Sequence, residues 1–275
     1  MRRPENAVHR RWDDPFWHAL RLLIDQRGFS TVEEHEVLPR LRATGAASAL
    51  GLADWLESSE PALIGDLANY THTRWDLAIH AMSELLRTEE EAQDDFRRVS
   101  SDALLAYGTR QAHHQSSKVL VQTVAAIATL ASDDRHVVPD LDPQRRAAHL
   151  ANGHLWVSPR RLDGALPSLM NPVGLWEIKE YWGKTSGGSK MSDAIYELQL
   201  VGTELALQER HSGVHVEHIA ILDGKIQWSH RRSDLRRAID LLYCGLLDEL
   251  ILGREVMSDW ECAVRRMWAL VDDRW

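Results

Sequence analysis

Leu175-Trp176-Glu177-Ile178-Lys179-Glu180-Tyr181-Trp182 is the stretch from which the fold of this chain is predicted. Its apolar residues predict a buried β-strand. Side chains alternate between the two faces of a strand, so Glu177 and Lys179 point to the same side. An acid and a base on a buried strand are costly unless they are paired or bind something. The stretch therefore predicts a central strand and, on it, a candidate site.

A second acidic residue precedes this strand. Asp163, followed by Gly164, lies fourteen positions before Glu177, at the edge of the preceding segment. If the two segments form adjacent strands, the Asp163 and Glu177 carboxylates meet. Two carboxylates and a lysine at one point indicate a divalent-metal site for phosphodiester hydrolysis, because hard cations prefer oxygen ligands. The alternative is an internal salt bridge on a half-exposed strand.

The composition is that of a globular protein with a large core. The 275 residues are 44% hydrophobic and 27% charged, which fits one large domain or two modest ones. No run of about 18 apolar residues occurs, so no membrane span is expected. The N-terminal residues lack the apolar stretch of a signal peptide. Cys244 and Cys262 do not make a disulfide framework, so we expect reduced thiols and a cytoplasmic location.

The charges are unevenly distributed. A net charge of -9 argues against a nonspecific nucleic-acid coat protein, but local basic clusters still allow phosphate contact. The cluster expected around the site consists of Arg160, Arg161, Lys184 and Lys190. A second cluster consists of Arg231, Arg232, Arg236 and Arg237. Arginines at a helix start oppose the helix dipole, which favours an anionic partner over a merely solvated helix start.

The chain divides into two differently patterned parts. Residues 1–135 are predicted to be helical, and the Asp- and Pro-containing segment 133–143 is the predicted boundary. Beyond it the patterns predict a short helix over 143–151 and strands over 155–157, 161–166, 175–182 and 214–222, with an amphipathic helix over 191–205. We therefore expect an α+β or α/β protein with a helical region at 1–135 and a sheet-containing domain at 136–275, in which helices cover a central mixed sheet.

The C-terminal segments complete this prediction. The turn Asp223-Gly224 predicts a hairpin, with residues 225–229 as its second strand. A helix is predicted to begin at Ser233 and to carry Leu246 and Leu250 on its apolar face. Residues 259–271 are predicted to form a last helix.

This order of elements, with Asp163-Gly164 leading to Glu177-Ile178-Lys179, resembles the PD-(D/E)XK, or restriction-endonuclease-like, nuclease superfamily. The resemblance covers about 80 residues, from 143 to 222. It implies a restriction-endonuclease-like core with a central mixed β-sheet flanked by helices. One departure is Leu162, which stands where the signature has proline; that proline is often absent in such proteins.

The resemblance also implies residue roles. Asp163 and Glu177 would bind Mg²⁺, for which Mn²⁺ would substitute, and the carbonyl of Ile178 would supply a third oxygen. Lys179 would position or deprotonate the attacking water and stabilise charge at the phosphate. Glu180 points to the other strand face and is a weaker ligand candidate. Candidates to approach from the following helix are Glu197 and Gln199.

Phosphate contacts are expected next to this site. The segment 184–190 follows the strand directly, and its amides, hydroxyls and two lysines suit phosphate oxygens. Its alternative interpretation is an ordinary connector. The candidate DNA-contacting residues are Lys184, Ser186, Ser189, Lys190, Arg160, Arg161, Arg231 and Arg232.

The predicted function is a Mg²⁺-dependent DNA endonuclease, with a restriction or phage-defence role that follows from the resemblance alone. The helical region would recognise DNA, bind a partner protein of a defence system or form a homodimer. Two alternatives stay open: a catalytically silent nucleic-acid-binding protein that keeps the nuclease fold, and a helical scaffold. No Walker A motif is present, so ATP-driven translocation is not encoded.

Overall fold

Helices make up the described N-terminal part of the chain. The computed structural model describes residues 1–2, 10–24, 31–99, 118–182 and 188–274. In its first part these are α1 (Pro15–Ile24), α2 (Glu34–Ala43), α3 (Gly45–Ala49), α4 (Leu52–Ser59), α5 (Ala62–His80), a π-helical turn (Ala81–Leu85), α6 (Glu89–Val99) and α7 (Val119–Leu130). The predicted helical N-terminal region is therefore confirmed.

Local sequence explains how these helices begin. The Asp14 side chain accepts the backbone N–H of Phe16 at 2.8 Å and so caps the first turn of α1, where Pro15 has no N–H that needs an acceptor. At the start of α2, the Glu36 carboxylate accepts the backbone N–H of Glu33 at 3.0 Å. Such contacts satisfy the N–H groups that a helix leaves free at its first turn.

The second part of the chain contains the strands. They are β1 (Asp140–Leu141), β2 (Ala148–Ala151), β3 (His154–Val157), β4 (Gly164–Leu166), β5 (Gly174–Glu180), β6 (Glu217–Asp223) and β7 (Glu249–Leu252). Five of them form a sheet in the order β1-β4-β5-β6-β7, and β2 pairs with β3 in a separate hairpin. The pairs β1–β4 and β4–β5 are antiparallel, whereas β5–β6 and β6–β7 are parallel. The predicted mixed sheet is confirmed.

Helices connect the parallel strands. Helix α8 (Gly188–Ser212) links β5 to β6, while α9 (Lys225–His230) and α10 (Arg232–Tyr243) link β6 to β7. A 3-10 turn (Gly253–Met257) and α11 (Asp259–Arg274) follow. Parallel neighbours require crossovers of this length, because the chain has to return to the end of the sheet at which the previous strand began. The protein is thus an α+β protein in which a helical N-terminal region precedes a mixed five-stranded sheet.

Both faces of the sheet are covered. On one face, Ala220, Leu222 and Leu250 pack in a hydrophobic cluster with α8, α10 and the N-terminal helices. On the other face, Trp176 and Ile221 pack with α7 and α11. The first cluster joins residues from both sides of the predicted boundary at 135. The division into 1–135 and 136–275 stays a prediction.

Two predictions around the hairpin and β6 are wrong. Residues 143–151 do not form a helix, because Asn152 and Gly153 adopt positive φ angles of 49° and 80° and turn β2 back onto β3. Residues 225–229 do not form a hairpin strand, because both edges of β6 are already paired, to β5 and to β7. They begin α9 instead.

The helix predicted from Ser233 is shorter than expected. It ends at Tyr243, and Gly245 follows with a φ of 76°. A residue in this left-handed region commonly ends a helix, and glycine adopts it without strain. Leu250 therefore lies in β7, a short parallel strand. The prediction missed this strand because the leucines before it continue at helical spacing. Within the described ranges, no helix is both long and apolar enough to cross a membrane.

Candidate functional site

The antiparallel pair β4–β5 brings Asp163 next to Glu177. Its register pairs Gly164 with Trp176, which places Asp163 opposite Glu177. The Asp163 backbone N–H donates to the Trp176 carbonyl at 3.2 Å, and its carboxylate accepts the Ile178 backbone N–H at 2.7 Å. The structure thus places Asp163 and Glu177 opposite each other on neighbouring strands, as the prediction of adjacent segments requires.

Glu177 and Lys179 lie on one face of β5 and pair with residues from two other elements. Lys179 Nζ donates to Glu177 Oε2 at 2.7 Å and to Glu197 Oε2 at 2.9 Å. Arg160 Nη1 also contacts the Glu177 carboxylate and lies 2.9 Å from Glu197 Oε2. We call Arg160, Glu177, Lys179 and Glu197 the acid–base cluster. Two cations neutralise two carboxylates here, as buried charges require.

Burial shifts the pKa values of the ionisable side chains at this site. Glu177 is fully buried and Lys179 is 8% exposed. Burial raises the pKa of Asp163, although the Ile178 N–H and the Lys179 charge oppose this rise. Burial by itself lowers the pKa of Lys179, but the Glu177 charge and the hydrogen bonds to Glu177 and Glu197 leave that pKa above its ordinary value. Lys179 is therefore an ammonium ion at neutral pH.

One oxygen of Glu177 lacks a hydrogen-bond partner among the described residues. Oε2 holds both cations, whereas the buried Oε1 accepts no hydrogen bond from that part of the chain. A buried acceptor left unsatisfied is costly, so Oε1 is suited to a further cation or donor. The backbone of Ile178 faces β4, since its N–H reaches the Asp163 side chain, and its carbonyl faces the same side.

The oxygen ligands offered here match the chemistry of a hard divalent cation, but they do not form a complete coordination shell. Asp163, Glu177 and the Ile178 carbonyl offer oxygen only, which is the ligand type that Mg²⁺ prefers. Among the described residues, however, no three His, Cys, Asp or Glu side chains converge into a metal-binding group. Instead, Arg160 and Lys179 occupy the neighbouring Glu177 oxygen.

The other three candidate ligands lie in different places. Glu197 reaches the acid–base cluster from α8. Gln199 does not, and lines a cavity between α8 and α10. Glu180 points to the opposite face of β5, as predicted, where it accepts the N–H of Leu120 at 2.9 Å and of Trp182 Nε1 at 3.0 Å. Burial raises the pKa of Glu180 to about 7.

The basic residues expected around the site occupy different environments. Arg161 is exposed and approaches Gln144 Oε1 only at 3.5 Å. Lys190 is exposed at the start of α8, and its carbonyl accepts the Tyr181 hydroxyl at 3.3 Å. Lys184 and Ser186 lie outside the described residues, and so does the side chain of Ser189.

The second basic cluster is not uniform either. Arg231 donates to Asp234 Oδ2 at 2.8 Å and to Ser192 Oγ at 2.7 Å, so it ties α10 to α8. Arg232 is exposed, and its Nε donates to the Ser229 carbonyl at 3.2 Å. Arg236 and Arg237 line the cavity that also contains Gln199. Of this run, Arg232 and Arg237 are exposed, and Arg237 lies 3.4 Å from Asp234 Oδ1.

His218 is a neighbour of the site that the sequence analysis did not single out. It lies on β6 opposite Leu175, on the same face as Glu177. Its Nδ1 contacts the Leu246 carbonyl at 2.9 Å, and its buried Nε2 has no hydrogen-bond partner among the residues that the structure describes. Burial lowers its pKa, which favours the neutral ring. His218 shares a face of β6 with Ala220 and Leu222. The sequence shows this spacing, but only the pairing of β6 with β5 shows that this face is the one that carries Glu177.

The comparison with protein families covers more than half of the chain. The family described as a domain of unknown function, DUF7687, matches residues 87–267. This chain belongs to that family. No curated protein and no solved structure matches the chain. The matched region contains the whole sheet and the acid–base cluster, so the site lies inside the family domain.

Proposed function

We propose that this protein is a Mg²⁺-dependent DNA endonuclease with a restriction-endonuclease-like core. The observation that carries the proposal is the position of Asp163 opposite Glu177, with Lys179 two residues further on the same face of β5. The order of β4, β5, α8 and β6 supports it, because the resemblance implies the same strand, helix and strand sequence around the motif. Restriction or phage defence in the cytoplasm is the corresponding role.

The proposed cation is Mg²⁺, with Mn²⁺ as a substitute. Asp163, Glu177 and the Ile178 carbonyl would hold it, and the unpartnered Glu177 Oε1 supports this assignment. When bound, the cation would lower the pKa of a water molecule and neutralise charge at the phosphate.

Lys179 supplies positive charge next to the proposed cation and the attacking water. Its raised pKa keeps it protonated at neutral pH, so its ammonium group positions the nucleophile and stabilises negative charge at the phosphate. Arg160 and Lys179 together hold the Glu177 carboxylate in place. Glu197 orients both cations from α8.

DNA is the proposed partner of this site. The exposed cations Arg161, Lys190 and Arg232 are available for phosphate contacts, which would make binding weaken as salt increases. Lys184, Ser186 and Ser189 are proposed contacts from the sequence alone. A homodimer, or a partner protein of a defence system, would supply the second site needed to cut both strands.

A second candidate function is a nucleic-acid-binding or scaffold protein that does not cut. The observation in its favour is that Arg160 and Lys179 already neutralise Glu177 and Glu197. In that case the acid–base cluster only stabilises the packing of β5 against α8, and DNA binding persists without cleavage.

The test is cleavage of mixed plasmid and phage DNA with Mg²⁺ or Mn²⁺. We expect Lys179→Ala and Asp163→Ala to reduce cleavage by about 100-fold or more, since removing one group that stabilises transition-state charge has this effect. The control is Lys225→Ala, whose ammonium group contacts the Ser83 carbonyl on the surface. Thermal unfolding of each variant establishes that it is folded.

Metal binding is measured separately from activity. Calorimetric titration with Mn²⁺ should show binding to the native protein that Asp163→Asn and Glu177→Gln weaken. Cleavage that survives Lys179→Ala would contradict the nuclease proposal. DNA binding without any cleavage or Mn²⁺ binding would favour the silent protein.

A further inference from the structure

A cavity of about 380 Å³ lies between α1, α5, α8 and α10. Its volume falls within the range of about 300 to 1,000 Å³ that is typical of small-molecule pockets. Among the described residues, four arginines line it, together with one acidic residue, Asp240. The four are Arg21, Arg74, Arg236 and Arg237. We call this space the arginine cavity.

Both carboxylate oxygens of Asp240 already accept hydrogen bonds. Asp240 Oδ1 accepts the Tyr70 hydroxyl at 2.8 Å, and Oδ2 accepts Arg74 Nη2 at 2.7 Å. Arg237 lies 3.4 Å from Asp234 Oδ1, an acid that Arg231 also holds. Positive charge therefore exceeds negative charge among the lining residues.

Two guanidinium groups of the cavity retain buried donors. Arg74 is 4% exposed, and its Nε has no hydrogen-bond partner within the part of the chain that the structure describes. The buried Nε of Arg236 also lacks one. Burial and the neighbouring Arg74 charge lower the pKa of Arg236. An anion in the cavity would relieve the repulsion between these neighbouring arginines.

The remaining lining combines aromatic and aliphatic side chains with the polar residues Gln199 and Ser233. Trp17 and Tyr196 contribute rings, and the aliphatic side chains are Leu20, Ile24, Ile195, Leu241 and Leu246. The Tyr196 side chain is 59% exposed, with the Arg237 guanidinium 6.0 Å from its ring centre. Burial raises the pKa of the Cys244 thiol to about 12, so this lining residue stays neutral. The walls suit a planar, weakly polar body attached to an anion.

We propose that the arginine cavity binds a small phosphate-bearing molecule with a planar ring, of the mononucleotide class. Arg74 and Arg236 contact the phosphate, and Tyr196 with the aliphatic wall contacts the ring. Guanidinium groups suit phosphate because their donors match its oxygens in pairs. The site is separate from the acid–base cluster and does not depend on nuclease activity.

The test is calorimetric titration of the full chain with AMP, adenosine and inorganic phosphate. EDTA is present throughout, so that the result does not depend on a metal site. We expect AMP to bind more tightly than either part alone. Arg236→Gln should weaken AMP binding by about tenfold or more, which is the effect of losing a charge-assisted hydrogen bond. Tyr196→Leu should weaken AMP binding and leave phosphate binding unchanged.

A matched control separates the cavity from general electrostatics. Arg265→Gln removes the same charge from an exposed position on α11, where Arg265 pairs with Glu261, and should leave AMP binding within twofold. Thermal unfolding establishes that each variant is folded. No binding of AMP or phosphate to the native protein would overturn the proposal. Equal weakening by Arg265→Gln would also overturn it. Binding of a DNA duplex that Arg236→Gln abolishes, without AMP binding, would overturn it in favour of a DNA surface.

Discussion

Gly164 explains why Asp163 and Glu177 can approach each other. The Trp176 ring on the paired strand fills the space where a side chain at position 164 would stand. A Cβ there would lie 1.9 Å from Trp176 Cε2, which is far inside contact distance. The glycine after the aspartate thus has a packing reason, and the position of Asp163 depends on it.

Gly164→Ala is therefore expected to destabilise the protein by about 1 to 3 kcal/mol, the usual cost of overpacking a core. Urea unfolding followed by tryptophan fluorescence measures this change. Gly45→Ala is the control, because a Cβ at Gly45 meets nothing within 4 Å. In this helical position alanine should be neutral or slightly stabilising. Equal stability of the Gly164 variant and the native protein would show that Trp176 moves freely.

His215 joins two carboxylates that belong to different segments. Its Nδ1 lies 3.0 Å from Glu209 Oε2 on α8, and its Nε2 lies 3.0 Å from Asp248 Oδ1 before β7. Both ring nitrogens can donate only when the ring is charged. The hydrogen bond with Asp248 is the main cause of a pKa of about 9, and the bond with Glu209 adds to it.

His215→Gln should therefore lower stability in a pH-dependent way. The native-state pKa lies above the unfolded value of about 6.5. Stabilisation is complete below that value and is lost as pH rises through about 9. The ring is 46% exposed, so solvent screening reduces the effect to about 1 kcal/mol. Urea unfolding at pH 6 and pH 10 tests this, and a difference that persists at pH 10 would contradict it.

Among the elements, the end of β6 is anchored to the helical region by a buried arginine. Arg87 precedes α6 and is fully buried. Its backbone N–H and its Nε both donate to Asp223 at 2.8 Å, and its Nη1 donates to Asp95 at 2.9 Å. Gly224, the residue after Asp223, has a φ of 117°, and a Cβ there would lie 2.1 Å from the Tyr181 carbonyl oxygen. The chain can therefore leave β6 in this direction only at a glycine.

Arg87→Met is expected to cost about 3 to 5 kcal/mol, because it leaves the buried Asp223 carboxylate without its cation and removes one of the two arginines that pair with Asp95. Arg97→Met is the matched control, since Arg97 pairs with Asp94 on the surface of α6. That exposed pair should contribute about 0 to 1 kcal/mol. Chemical denaturation of both variants gives the comparison. Similar losses in the two would mean that the buried network does not anchor β6.

At the scale of the whole molecule, one hydrophobic cluster connects the N-terminal helices to the sheet. Leu20, Leu67 and Ala78 of the helical region belong to the same buried cluster as Leu222 and Leu235. The hydrogen bonds from Tyr70 and Arg74 to Asp240 cross the same contact. The family match beginning at residue 87 also crosses the predicted boundary at 135.

This shared core should make the full chain unfold as one unit. Urea unfolding followed by circular dichroism and by tryptophan fluorescence should give coincident curves with a single midpoint. Residues 136–275 expressed alone would expose the apolar faces of α10 and β7 and should aggregate. Two separated transitions would instead support the division into 1–135 and 136–275 as independent domains.

The sequence by itself determined the features that depend on near neighbours. Strand alternation placed Glu177 and Lys179 on one face, and helical spacing predicted the amphipathic helix over 191–205. The Asp163-Gly164 pair pointed to a second acid beside the strand, and the capping residues and apolar spacing within residues 1–135 predicted helices. Each of these signals repeats within a few residues, so no knowledge of distant contacts was needed.

Only the tertiary structure decided which distant segments meet. It joined Arg160 and Glu197 to Glu177 and Lys179, and it turned residues 225–229 into a helix by pairing both edges of β6. It divided the arginines at 231–237 between an ion pair, the surface and the arginine cavity. These outcomes depend on strand register and on the packing of helices far apart in the chain, and local periodicity carries no information about either.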